Sequence, residues 1–150
     1  MKTNRRTVLQ ATGAMATLVS LGIVTAQQAH AAGRPGFDAR TLQDAVRALG
    51  GAPATSDQIS IVSPDIAENG AVVPVTTISR LPKTTEMFVL VERNPLPMTA
   101  AFTIPEGTEA EIQTRLRMGE SSNIVAIVRA DGRLFSAVKE TKVTLGGCGG

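Results

Sequence analysis

The sequence contains no tryptophan, no tyrosine, one cysteine and one histidine among its 150 residues. The histidine, His30, lies in an N-terminal stretch that we expect to be removed on export. A mature chain with no histidine and a single cysteine lacks the usual ligands of a zinc site and cannot form a Ser-His-Asp triad. We therefore predict a protein that holds no metal, uses no cofactor and is not itself an enzyme.

An excess of positive charge is also missing from the expected mature chain. The whole sequence has 15 Lys and Arg against 13 Asp and Glu, and 3 of the basic residues lie in the predicted leader. The remaining 12 basic residues against 13 acidic ones give the mature chain a net charge of about −1. Nucleic acids and anionic membranes select clustered cationic side chains, so we expect neither as a partner.

Residues 1–31 have the organisation of an export signal. A short basic region precedes a mildly apolar run over 8–26, and the small residues of Ala29-His30-Ala31 predict cleavage before Ala32. The run is too short and too rich in Gly, Ser and Thr for a membrane span, so we expect no membrane anchor.

The adjacent Arg5 and Arg6, followed by Thr7, indicate a twin-arginine signal, which exports proteins already folded or assembled. An ordinary secretory signal whose arginines happen to be adjacent is the alternative. Both interpretations take the mature protein out of the cytoplasm, and we expect it in the periplasm.

Between the leader and the C-terminus the sequence predicts one helix followed by strands. Asp38 is the expected N-cap of a helix over 39–49, because apolar residues recur at i, i+3, i+4 and i+7 and Gly50-Gly51 follow. Seven β-rich runs punctuated by turn residues come next, at 59–63, 71–79, 87–92, 99–104, 111–118, 123–129 and 134–145.

This spacing predicts a mainly β protein, an immunoglobulin-like antiparallel β-sandwich with one N-terminal helix. The near-continuous apolar run at 123–129 indicates a central strand, and Asp131-Gly132 indicates a tight hairpin turn. We divide the chain into a signal peptide (1–31), a carrier domain (32–145) and a swinging arm (146–150).

The only cysteine, Cys148, is enclosed by four glycines, Gly146, Gly147, Gly149 and Gly150. A catalytic cysteine needs a rigid pocket and a neighbouring base, and without a second cysteine no disulfide can form within the chain. Glycine leaves φ free, and the steps from Leu145 to Cys148 span about 10 Å when extended. Such an arm is suited to delivering a thiol into active sites of other proteins.

Three functions are compatible with this arm. The first is a covalent carrier on Cys148. The second is a ubiquitin-like carrier activated as a thiocarboxylate at Gly150, which needs ATP that an exported protein does not have. The third is a structural or redox-sensing module whose thiol forms intermolecular disulfides.

The sequence resembles the SoxY family, the sulfur-carrying subunits of the periplasmic thiosulfate-oxidising Sox system. The resemblance covers essentially the whole chain and is carried by four segments, Ser63–Val75, Glu92–Pro95, Arg115–Met118 and Val143–Gly150.

The resemblance implies that Cys148 carries thiosulfate-derived sulfur, first as an S-thiosulfonate and then as a persulfide. It also implies a heterodimer with SoxZ, a second small β-sandwich, and transient docking with three Sox enzymes. These are the c-type cytochrome SoxXA, the hydrolase SoxB and, where the organism has it, the sulfane dehydrogenase SoxCD.

Other polar positions are weaker candidates. Arg115 and Arg117 share the polar face of a predicted strand and would either meet the thiosulfonate or an acidic partner, or form a solvated face. The turns at Asn69-Gly70 and Asn94-Pro95 are interpreted as structural.

Overall fold

The computed structural model describes residues 34–144. The predicted leader with Arg5 and Arg6, and the arm with Cys148 and its four glycines, lie outside the described residues. The described part contains one α-helix and nine strands: α1 Leu42–Ala48, β1 Ala54–Thr55, β2 Ile59–Val62, β3 Ile66–Ala67, β4 Val73–Ser79, β5 Thr84–Val91, β6 Met98–Thr103, β7 Glu111–Leu116, β8 Ser122–Ala130 and β9 Arg133–Val143.

Helix α1 begins later than the sequence predicted. Its N-cap is Thr41, whose Oγ1 accepts a hydrogen bond from the backbone N–H of Asp44 at 3.1 Å. Asp38 does not cap the helix, because the chain before it turns at Gly36, where φ is +85° and the N–H of Ala39 donates to the Gly36 carbonyl. The predicted end is confirmed, since Gly50 and Gly51 both follow with positive φ.

Two sheets pack face to face, which confirms a mainly β, sandwich-like fold with one helix. The first sheet has the strand order β1-β9-β8-β5-β6, with β3 also pairing with β9, and the second has the order β2-β4-β7. The seven predicted strands correspond to β2 and β4 to β9. Two strands were missed, β1 and β3, which have two residues each and pair parallel to β9.

Strand β8 is central, as predicted, with β5 on one side and β9 on the other. Its residues alternate between two buried layers. Ile124 and Val128 pack between the sheets, while Ile127 packs against α1, and all three are fully buried. The core therefore lies on both faces of the first sheet. Burying side chains of this kind contributes about 1.5–3 kcal/mol each.

The hairpin from β8 to β9 is the tight turn that the sequence predicted. Asp131 and Gly132 both have positive φ, 49° and 72°, as a two-residue hairpin turn requires. The polar face predicted at Arg115 is confirmed, since Gln113 and Arg115 are exposed while Leu116 is buried, but β7 ends before Arg117.

Candidate functional site at the base of the C-terminal arm

The chain leaves the sandwich at the end of β9, and β3 holds that end from one side. The N–H of Lys142 donates to the Asp65 carbonyl at 2.9 Å, and the N–H of Thr144 donates to the Ala67 carbonyl at 3.1 Å. The bonding to β3 therefore extends to Thr144, the last residue that the structure describes.

A serine holds the same end from the other side. Ser121 Oγ accepts from the N–H of Val143 at 2.9 Å and lies 3.4 Å from the Val143 carbonyl, to which it donates. One hydroxyl therefore satisfies both backbone groups of Val143, so successive residues at the end of β9 are bonded on opposite sides, Val143 to Ser121 and Thr144 to β3.

Gly70 packs directly against this end of the sandwich. Its carbonyl accepts from the N–H of Met118 at 2.7 Å. A Cβ at position 70 would lie 2.4 Å from the Met118 carbonyl oxygen and 2.8 Å from Val143 Cγ1. Only glycine fits here, and the reason is close backbone approach rather than a positive φ.

Asn94 ties the turn after β5 to the loop after β7. Its Nδ2 donates to the Arg117 carbonyl at 2.7 Å, and its Oδ1 accepts from the N–H of Gly119 at 3.3 Å. Beside it, the N–H of Arg93 donates to Ser122 Oγ at 3.0 Å. The Asn94 side chain thus joins loops of the two sheets, since β5 and β7 do not pair with each other.

Lys139 fixes the segment that leads into β3. Its Nζ donates to the Ser63 carbonyl at 2.7 Å and lies 3.2 Å from Asp65 Oδ1. Ser63 Oγ and the fully buried Thr141 Oγ1 are 2.9 Å apart. The segment before β3 is therefore joined to β9 by side chains as well as by the backbone.

The structure brings parts of all four segments of the resemblance to one end of the sandwich. We call this region the arm base and define it by Asp65, Ala67, Gly70, Asn94, Arg117, Met118, Ser121, Val143 and Thr144. Sequence reasoning identified the segments but neither their convergence nor Ser121, since a lone serine in a polar loop has no distinguishing pattern.

The remaining candidate positions lie in or beside the arm base, to which Arg117 contributes only its carbonyl. Arg115 and Arg117 are exposed near the arm base, with Arg115 opposite Pro74 in the β4–β7 pairing. A contact with cargo on Cys148 stays a prediction. The Asn69-Gly70 turn is confirmed, with the N–H of Val72 donating to the Asn69 carbonyl and that of Ala71 to Asn69 Oδ1.

Within residues 34–144, no group of three or more His, Cys, Asp and Glu side chains could hold a metal ion. In the same part of the chain no helix is long and apolar enough to cross a membrane. The arm base itself is built from backbone groups, hydroxyls and amides, an arrangement that orients a chain segment.

Comparison with known proteins identifies the family. The family model described as sulfur oxidation protein SoxY matches residues 45–148, more than two thirds of the chain, and the match extends to Cys148. No curated protein matches the sequence.

The chain also resembles solved structures, two of which are the following. The sulfur carrier protein SoxY from Chlorobium limicola f thiosulfatophilum is 39% identical, with a TM-score of 0.64 over 71% of this chain and 95% of that one. The superoxide reductase (neelaredoxin) from Ignicoccus hospitalis is 19% identical, with a TM-score of 0.52 over 58% of this chain and 80% of that one. The second likeness concerns the fold alone.

The fold and the arm base define a small β-sandwich protein in which β3 and Ser121 hold the end of the last strand. The chain is a member of the SoxY family of sulfur carrier proteins.

Proposed function

We propose that this protein is a covalent carrier of sulfur intermediates of thiosulfate oxidation, attached at Cys148. The observation that carries the proposal is the family match, which runs through Cys148 and includes the segments that converge at the arm base. The protein supplies the attachment site, and the catalysts are its partners.

The proposed cycle begins when the Cys148 thiol is joined to the outer sulfur of thiosulfate. A sulfur–sulfur bond forms, one proton is released, and two electrons pass to the c-type cytochrome SoxXA. The hydrolase SoxB then adds water and releases sulfate, leaving a persulfide on Cys148. Where SoxCD is present, it oxidises the outer persulfide sulfur to a sulfonate, taking the oxygen atoms from water and passing the electrons to an oxidised cytochrome. Hydrolysis then releases sulfate and restores the Cys148 thiol.

The arm base suits this cycle because it gives the arm a fixed origin. Val143 and Thr144 are bonded to Ser121 and β3, so the distance over which Cys148 can search is set by the four residues from Leu145 to Cys148. Ordering each glycine in an enzyme costs about 1–2 kcal/mol of backbone entropy, which keeps each docking transient. Covalent attachment meanwhile raises the effective concentration of the cargo at the docked site.

The proposal includes the place of action and the assembly. A twin-arginine leader over 1–31 would export a folded heterodimer of this chain with SoxZ, which has no signal of its own, to the periplasm. The carrier domain would then be 32–145 and the swinging arm 146–150.

The test is mass spectrometry of the C-terminal peptide from protein isolated from cells grown on thiosulfate. We expect mass additions of thiosulfate or sulfur on Cys148 that dithiothreitol removes, and no thiosulfate-dependent turnover by Cys148→Ser in a reconstituted Sox system. A thiocarboxylate at Gly150 would instead support the ubiquitin-like alternative. Full turnover by Cys148→Ser would refute the proposal.

A further inference from the structure

Among the described strands, the sheet edges differ in how they are protected from pairing with other chains. Along β9, the edge is capped by β1 at 135–136 and by β3 at 142–143. On the same side of the sandwich, β2 contacts β9. On the opposite side, β7 is the edge of the second sheet, and every second residue along it, Glu111, Gln113 and Arg115, is exposed. Charged side chains of this kind discourage edge pairing.

Strand β6, the remaining edge of the first sheet, pairs with no described strand on its outer side, and its only protective features are prolines outside the strand, at 97 and 105, and a register shift against β5 between Val89 and Leu90. No charged residue occurs between Arg93 and Glu106, and no proline lies within Met98–Thr103. An uncharged edge without proline is the kind that natural proteins normally cover.

The hydrogen-bonding pattern shows which backbone groups of β6 face outward. The N–H of Ile104 donates to the Thr85 carbonyl at 2.8 Å, and β6 pairs antiparallel with β5. Alternate residues of an antiparallel strand bond to the same neighbour. Residues 100 and 102 therefore bond to β5, and the N–H and C=O groups of Ala101 and Thr103 point away from the sheet.

The side chains around these groups are small or apolar. Ala101 and Thr103 are exposed, while Ala100 and Phe102 on the inner face are only half-buried. Leu96, just before the strand, is 49% exposed. A neighbouring strand could approach the edge closely and would cover apolar surface along its length.

We infer that β6 is the docking edge for the partner subunit, which adds an extended, uncharged strand to the first sheet. This inference rests on the proposed function, which supplies the β-sandwich partner SoxZ. The outward groups of Ala101 and Thr103 are separated by two residues, about 6.8 Å, and another extended backbone repeats at that distance. Main-chain bonds of this kind provide affinity in strand addition, and apolar contacts along the edge provide specificity.

Ala101→Pro tests the inference, because it removes one outward N–H and leaves the bonds of residues 100 and 102 to β5 intact. Proline is tolerated on edge strands where the N–H faces solvent. The matched control is Gln113→Pro on β7. There the bond from the N–H of Ser79 to the Ala110 carbonyl likewise leaves the N–H of residue 113 pointing outward.

Each variant of the whole mature chain is titrated with purified SoxZ by calorimetry, after circular dichroism and melting show that it is folded. We expect Ala101→Pro to weaken the affinity at least tenfold and Gln113→Pro to change it less than threefold. Thr103→Lys, which adds a charge beside the same edge without restricting φ, should also weaken binding and decides the question if Ala101→Pro does not fold.

The outcomes separate this inference from the proposed function. Unchanged SoxZ affinity in a folded Ala101→Pro or Thr103→Lys variant overturns it, even when Cys148 still carries the adduct. A variant that loses only self-association and keeps its SoxZ affinity also overturns it, because the edge would then bind a second copy of this chain. Absence of any adduct on Cys148 would count against the proposed function instead.

Discussion

The arm base and the β6 edge differ in how their backbone groups are hydrogen-bonded. At the arm base, Ser121 and Asn94 are each bonded to two main-chain groups, so a short stretch of chain is held by side chains from several loops. Along β6, the outward groups of Ala101 and Thr103 meet no described strand, and the surrounding side chains are uncharged.

The difference matches the two roles proposed above. A carrier arm that enters several enzymes would need a fixed origin, and the bonds at the end of β9 come from several directions. An edge that a partner subunit covers would need no protection of its own. Substitutions at the arm base should therefore affect the stability of this chain alone, whereas those on β6 should affect assembly.

The largest effect on the free energy of unfolding is expected at Gly70. In Gly70→Ala the new Cβ would overlap the Met118 carbonyl oxygen and Val143 Cγ1, so the arm base must shift. We expect a loss of about 2–4 kcal/mol, since the clash is with backbone as well as side chain. Urea unfolding of the mature chain measures it.

Gly119→Ala is the matched control for Gly70→Ala. Gly119 lies in the same region, but a Cβ there would have no atom within 4 Å. Its stability should stay within about 0.5 kcal/mol of the parent protein. Equal losses in the two variants would contradict close backbone approach as the reason for Gly70.

A smaller loss is expected for Asn94→Ala. The substitution removes the donor to the Arg117 carbonyl and the acceptor for the N–H of Gly119, and the half-buried site gives water some access. About 1–2 kcal/mol should be lost. Asn69→Ala serves for comparison, since its side chain accepts from Ala71 in an exposed local turn. An Asn94 variant no less stable than the Asn69 variant would show that the bridge between the loops is unimportant.

Ser121→Ala should lower the free energy of unfolding modestly and should clearly accelerate amide hydrogen exchange at the end of β9. It removes the hydroxyl bonded to both backbone groups of Val143, which should cost about 0.5–1.5 kcal/mol. Amide hydrogen exchange should accelerate at Val143, while the Thr144 amide, bonded to Ala67, should change less. If hydrogen exchange accelerated uniformly across β9, or did not accelerate at Val143, Ser121 and β3 would not hold the end of β9 independently of each other.

The smallest expected change is a gain in stability, away from both regions. Thr77 is 1% exposed in β4, and its Oγ1 has no hydrogen-bond partner among the described residues. Thr77→Val keeps the shape and removes the cost of an unsatisfied hydroxyl, so unfolding should become harder by about 1 kcal/mol. A lower melting temperature would mean that the hydroxyl has a partner after all, such as a buried water.

Much of the fold follows from local patterns in the sequence. Alternation in β7, the apolar run of β8 and the Asp131-Gly132 turn each predicted what the structure contains. The helix start was wrong because Asp38 and Thr41 are both good capping residues, and the turn at Gly36 decided between them. That turn packs near Met98, which is distant in sequence, so no local pattern reports it.

The sequence by itself determined that this protein has one thiol among four glycines at 146–150, its one histidine at position 30, and a series of strands with one helix. These properties depend on composition and on short-range periodicity, which the chain carries at every position. Only the tertiary structure decided that β3 and Ser121 hold the end of β9 and that no described strand covers the outer side of β6. Pairing of two-residue strands and exposure of an edge depend on neighbours far along the chain, and their stability comes from the packed sandwich rather than from the residues themselves.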